Sequence, residues 1–111
     1  MGRGRRRTQL RAYRIYVLPT AFREAKALPG NMRQRVKRAI AALADEPRPP
    51  ESKPLGVTGL PAELRRLLLD QWRIVYPIDE SERTIDVLAV RKRPPYDYGD
   101  LQGLIAGILP P

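Results

Sequence analysis

The segment "ELRRLLLDQWRIVYPIDESERTIDVLAV", residues 63–90, decides the fold. It holds three runs rich in β-branched, aromatic and leucine residues: Glu63 to Leu69, Trp72 to Ile78 and Thr84 to Val90. Each has the length of a strand. The pieces between them, Asp70-Gln71 and the five residues "DESER", are of hairpin length, so the three runs are expected to form an antiparallel meander. In the middle run, Trp72, Ile74, Tyr76 and Ile78 share one face, while Arg73 shares the other with Val75.

Upstream, "YRIYVL" from Tyr13 ends at Pro19 and reads as a further strand. Thr20 is placed to cap a short helix, "AFREAKAL", that Pro29 and Gly30 terminate. Asn31 is placed to cap a second helix, with Gln34 three residues on as in a capping box, and Pro47 stops it. Within that helix Met32, Val36, Ile40 and Leu43 recur at helical spacing and should face the core, with Arg33, Arg35, Lys37 and Arg38 solvated. "PRPPESKPLGVTGLP", residues 47–61, has five prolines and two glycines and reads as a loop. Near the end, "DLQGLIAGI" is apolar at Leu101, Leu104, Ile105 and Ile108, which suits a short C-terminal helix. The order β-α-α-β-β-β predicts an α+β fold of two layers, a helical hairpin on one face of a small antiparallel sheet, the other face open.

Composition narrows the chemistry. The 111 residues include neither cysteine nor histidine, so disulfides, thiolate metal sites and the commonest general base are all absent. No metal or cofactor is expected. Six arginines lie in the first 14 residues; removing them from the 21 Lys and Arg leaves 15 against 12 acidic residues, a net +3 out of +9. The expectation is a single domain over residues 13–111 behind a flexible basic arm, residues 1–12, which is either a solvated tail or a nucleic-acid contact. No stretch approaches a membrane span and no secretion signal is complete, which points to the cytoplasm.

An arginine amid apolar neighbours needs a partner or a ligand. For Arg73 the candidates are a salt bridge to Asp86 or Glu63, or an anion. Arg65 and Arg66 point to opposite faces; a tight turn at Asp70-Gln71 sets Arg73 opposite Leu68 and makes Arg66 its diagonal neighbour. Arg93, with Arg91 and Lys92, stands at the exit of the last strand, and Lys53 can reach in from the proline-rich loop. Clustered guanidiniums on a sheet favour phosphate oxygens. Pro94 and Pro95 stiffen the exit, so that Tyr96 or Tyr98 either stays near the cluster or caps the core.

The run "ELRRLLLDQWRIVYPIDESERTIDVLAVRKRPPY", with "YRIYVLPTAFREAKALPGNMRQRVKRAIAALADEP" before it, resembles the RelE/ParE superfamily of type II toxin-antitoxin toxins from Tyr13 to about Leu101. For the RelE-like branch the resemblance implies ribosome-dependent cleavage of messenger RNA by attack of a ribose 2′-hydroxyl on the adjacent phosphate, silenced by a cognate antitoxin with an acidic segment. It implies Arg66, Arg73, Arg93 and either Tyr96 or Tyr98 as catalytic residues, and Lys53, Arg65, Arg91 and Lys92 as RNA contacts. Leu64 stands where such members carry a first basic residue, and Trp72 where they carry a tyrosine. The ParE-like alternative implies DNA gyrase as target, and an inactive member would only bind its antitoxin.

Overall fold

The computed structural model describes residues 12–55 and 63–92. Eight elements follow in chain order: β1 (Arg14–Val17), α1 (Pro19–Lys26), α2 (Gly30–Ala42), β2 (Ser52–Pro54), β3 (Glu63–Leu69), β4 (Trp72–Asp79), β5 (Thr84–Val87) and β6 (Ala89–Lys92). They form the expected α+β arrangement, two helices on one face of a six-stranded sheet with the order β1-β5-β4-β3-β2, and β6 beside β4. The basic arm, the C-terminal helix and Arg93, Tyr96 and Tyr98 lie outside the described residues.

The meander closes as its turns dictate. Leu69 pairs with Trp72 across the two-residue turn, where Asp70 takes a positive φ of 56°, a conformation that a short polar side chain tolerates. In the next turn Asp79 Oδ1 accepts hydrogen bonds from Ser81 Oγ (2.7 Å) and the Glu82 N–H (3.1 Å), an Asx-type turn.

Three features differ from the sequence expectation. The sheet is mixed, because β1 runs parallel to β5, with Ile15 beside Ile85 and Val17 beside Val87. The proline-rich segment contains β2, whose Ser52, Lys53 and Pro54 pair with Leu67, Arg66 and Arg65; proline is tolerated there because the strand is at the sheet edge. The last run is broken at Leu88. Ile85 faces Ile78, whereas Ala89 faces Val75, so one strand has an extra residue and Leu88 N–H donates to Val75 O at 2.8 Å. This is a β-bulge. It reverses the alternation: Ile85, Val87 and then Val90 all enter the core, and Arg91 turns to the face that carries Arg73. Uninterrupted alternation would have sent Arg91 into the core.

The helices start without side-chain caps. Pro19 opens α1 directly after Leu18, its fixed φ suiting the first helical position, and α2 begins at Gly30 after an extended Pro29, so Thr20 and Asn31 lie inside their helices rather than before them. The core matches the helical spacing: Met32, Val36, Ile40 and Leu43 are buried against Leu67, Ile74, Tyr76, Ile78, Ile85, Val87 and Val90. Each fully buried aliphatic side chain contributes about 1.5–3 kcal/mol.

A polar clamp holds the end of the sheet where β1 starts. Tyr13 N–H donates to Ala44 O (2.9 Å) and its hydroxyl to Glu80 Oε1 (2.7 Å), while Arg48 Nη2 bridges Glu63 Oε1 (2.8 Å) and Glu80 Oε2 (2.7 Å). Hydrogen bonds from Arg48 hold the Glu63 carboxyl below its ordinary range; the Tyr13 hydroxyl, then Arg48, do the same for Glu80. An acid with a depressed folded-state pKa stabilises the fold above its unfolded value, about 4.3, and that stability is lost as pH falls through the folded value. Calorimetric melting temperature is therefore expected to drop on acidification below about pH 5, and Arg48→Ala to flatten this part of the profile while lowering the neutral-pH value. Parallel profiles for the two proteins would show that the clamp does not couple to protonation.

Candidate functional site

Register, rather than loop position, assembles the cations. On the face away from the helices Lys53 stands directly opposite Arg66, Arg66 opposite Val75, and Leu68 opposite Arg73. Arg73 in turn stands opposite Arg91. Direct neighbours across a ladder have Cβ atoms about 4.5–5.5 Å apart and diagonal ones about 7–8 Å, within reach of long side chains. Arg66 is thus the diagonal neighbour of Arg73, as the short turn requires. Lys53 is exposed, Arg66 half-buried, and Arg73 only 8% exposed. The surface between them is apolar and less open than expected: Leu64, Val75 and Ala89 on this face are buried.

Arg65 is separated from this group. It faces the helices opposite Tyr76, where Nε donates to Ser52 Oγ (3.0 Å), Nη2 to Ser52 O (3.2 Å) and Nη1 to Glu63 Oε2 (2.6 Å). Lys92, opposite Trp72, is also on the helix side, and exposed. Register sets both carboxylates considered for Arg73 apart from it. Glu63 is taken by Arg48 and Arg65 on the other face. Asp86 shares the face but lies level with Pro77, four residues along β4 from Arg73, about 13 Å at ~3.3 Å per residue.

The face is therefore divided. One half carries Lys53, Arg66, Arg73 and Arg91; the other carries Asp86 beside Tyr16, with Asp79 near the end of β4. Burial, and then the charge of Asp79, push the Asp86 carboxyl above its ordinary value. Among the described residues no acidic group is arranged to hold a metal ion, and no helix is long and apolar enough to cross a membrane.

One residue of this neighbourhood escapes sequence reasoning. Glu24 on α1 accepts from the Val90 N–H through Oε1 (2.9 Å) and from Arg91 Nε through Oε2 (3.0 Å). Because α1 follows β1 without a loop, it packs along β6, and Glu24 satisfies an edge N–H that no strand pairs. The partners are 66 and 67 residues apart in sequence. No local pattern signals such a contact.

A cavity of about 500 Å³ opens elsewhere, between α2 and the end of β3, lined by Ala39, Leu43, Leu67 and Leu69 with the Arg35–Asp70 pair (2.6 Å) at its rim. The cations do not line it.

Comparison with known proteins adds the following. Residues 15–94 match the family described as the ParE toxin of the type II toxin-antitoxin system, parDE. The archaeal RelE of a RelE-RelB complex from Pyrococcus horikoshii OT3 superposes with a TM-score of 0.68 at 24% identity, covering 77% of this chain and 99% of that one. For the toxin-antitoxin complex RelBE2 from Mycobacterium tuberculosis the values are 0.62 and 25%, with 74% and 99% covered. The isolated RelE toxin of E. coli gives 0.60 and 21%, with 88% and 100% covered. No curated protein sequence matches.

Proposed function

The chain belongs to the RelE/ParE family of type II toxin-antitoxin toxins, and on that premise we propose that its cationic face binds messenger RNA on the ribosome and promotes cleavage of the strand. The carrying observation is the register that sets Lys53 opposite Arg66, Arg66 diagonal to Arg73, and Arg73 opposite Arg91. In the reaction a ribose 2′-oxygen attacks the adjacent phosphorus, the bond from phosphorus to the 5′-oxygen breaks, and a cyclic phosphate and a 5′-hydroxyl result. The attacking oxygen loses a proton and the leaving oxygen gains one. Guanidiniums of Arg66 and Arg73 donate to the phosphoryl oxygens as negative charge grows on them. Lys53 is a described group on this face able to carry a proton; the family resemblance adds Arg93 and Tyr96 or Tyr98. Arg65 and Lys92 lie on the opposite face, so in this reading neither touches the phosphate.

The partner chains named with the Pyrococcus and Mycobacterium structures support a cognate antitoxin here too, its acidic segment covering these cations in the cytoplasm. A second reading has specific support. The matching family is that of ParE, Arg73 is buried and Arg91 is engaged by Glu24, features that fit a toxin acting on DNA gyrase without cutting RNA.

Mapping the 5′ ends of a message in a cell-free translation reaction separates the two. Cuts confined to translated message, slowed about 100-fold or more by Arg66→Ala, are the expected result. An intact message together with inhibition of purified gyrase supercoiling would establish the second reading instead.

A further inference from the structure

Arg73 and Arg91 stand directly opposite each other across the β4–β6 ladder. Like charges in that relation repel, and the repulsion alone would turn the more exposed side chain, Arg91, away from the cluster. Glu24 opposes this. Its two oxygens are divided between a backbone donor of β6, the Val90 N–H at 2.9 Å, and the guanidinium Nε of the next residue at 3.0 Å. The carboxylate is consequently fixed to the strand itself, and the guanidinium is fixed to the carboxylate. The contact is made through Nε, the inner nitrogen of the guanidinium. Both side chains are mostly covered, at 18% exposure for Arg91 and 28% for Glu24, so solvent screens the pair less than a surface one.

We propose that Glu24 is a positioning residue of the phosphate-binding face: it holds the Arg91 guanidinium beside Arg73, so that the two present their donors to one RNA phosphate. The proposal rests on the phosphate-binding reading above and adds a residue from α1 to it. Its consequence runs against simple charge counting. Removing Glu24 makes a protein of formal charge +9 more positive, which by counterion release alone strengthens RNA binding; loss of Arg91's direction weakens it.

The test measures affinity for a short single-stranded RNA with 2′-O-methyl riboses, which cannot be cut by 2′-oxygen attack, by fluorescence anisotropy at two salt concentrations. Glu24→Ala is expected to bind about fivefold more weakly despite its added charge. Arg91→Lys, which keeps the charge but lacks the forked donors, should lose about as much, and the double variant no more than either. Tighter binding by Glu24→Ala, or losses that multiply in the double variant, would overturn the proposal. Glu24→Gln, which keeps an acceptor oxygen, serves if the alanine variant melts near the assay temperature, with the same sign expected. Hydrogen exchange of the Arg91 Nε–H, followed by ¹⁵N NMR without RNA, should be slower in the wild-type protein than in either Glu24 variant; equal rates would also overturn it. Absence of RNA binding by the wild type would instead remove the phosphate-binding reading, leaving the exchange rates to decide whether Glu24 positions Arg91.

Discussion

Replacing Arg73 with methionine is expected to slow message cleavage by roughly 10²–10³, the effect of deleting one well-placed donor to a developing oxyanion. That factor corresponds to about 2.7–4 kcal/mol of transition-state stabilisation. The expectation follows from position: Arg73 stands on the central strand between Leu68 and Arg91, is 8% exposed, and has Arg66 as its diagonal neighbour. A guanidinium so enclosed is surrounded by less water than one at the rim, which strengthens its interaction with a phosphoryl oxygen. Methionine keeps most of the apolar stem of this buried side chain, so lost chemistry is separable from lost packing. Arg73→Lys restores the charge without the fork and should recover only part of the rate. The rate is read in the cell-free translation reaction and the fold by thermal melting. A folded Arg73→Met protein that cuts at the wild-type rate would remove Arg73 from the mechanism.

The central cluster is legible in sequence because hairpins convert spacing into geometry. Once Asp70-Gln71 is read as a two-residue turn, Leu68 must face Arg73, Arg66 must be the diagonal neighbour, and Arg65 must leave for the other face. The same kind of reasoning finds Met32, Val36, Ile40 and Leu43 in the core. It fails where a single residue or a distant one decides. The bulge at Leu88 is one extra residue within a uniformly apolar run, and nothing in "TIDVLAV" marks which residue is unpaired; yet it alone puts Arg91 beside Arg73. β2 is three residues long and is defined by its pairing with β3, against the local preference of its proline-rich sequence. Thr20 and Asn31 have the chemistry of caps, but Pro19 at the first position of α1 and Pro29 just before α2 already fix the entry conformation. Glu24 belongs to the site through a contact across most of the chain.

The largest loss of stability is expected from Tyr76→Ala. Tyr76 is fully buried at the centre of β4, burial that pushes its hydroxyl pKa upward, and the hydroxyl donates to Pro47 O at 2.8 Å. Truncating a buried aromatic side chain to alanine typically costs about 3–5 kcal/mol, through lost apolar burial and the cavity left behind. Domains of this size are stable by only about 5–15 kcal/mol, so the variant should be partly unfolded near body temperature. Tyr76→Phe isolates the hydroxyl and should cost about 1 kcal/mol, the net value of one hydrogen bond. The consequences extend to the cationic face. Tyr76 pairs with Arg65, Arg65 holds Ser52 through its hydroxyl and carbonyl, and the Ser52 hydroxyl donates to Pro49 O at 2.7 Å. These contacts anchor the segment from Pro47 to Pro54 from the helix side, and Lys53 projects from that segment to the other side. Arg65 therefore serves the site by fixing the strand that carries Lys53. Urea unfolding of the two variants checks the stabilities. A Tyr76→Ala cost near 1 kcal/mol would mean that the core closes over the missing ring and that the anchoring rests on Arg65 and Ser52 alone.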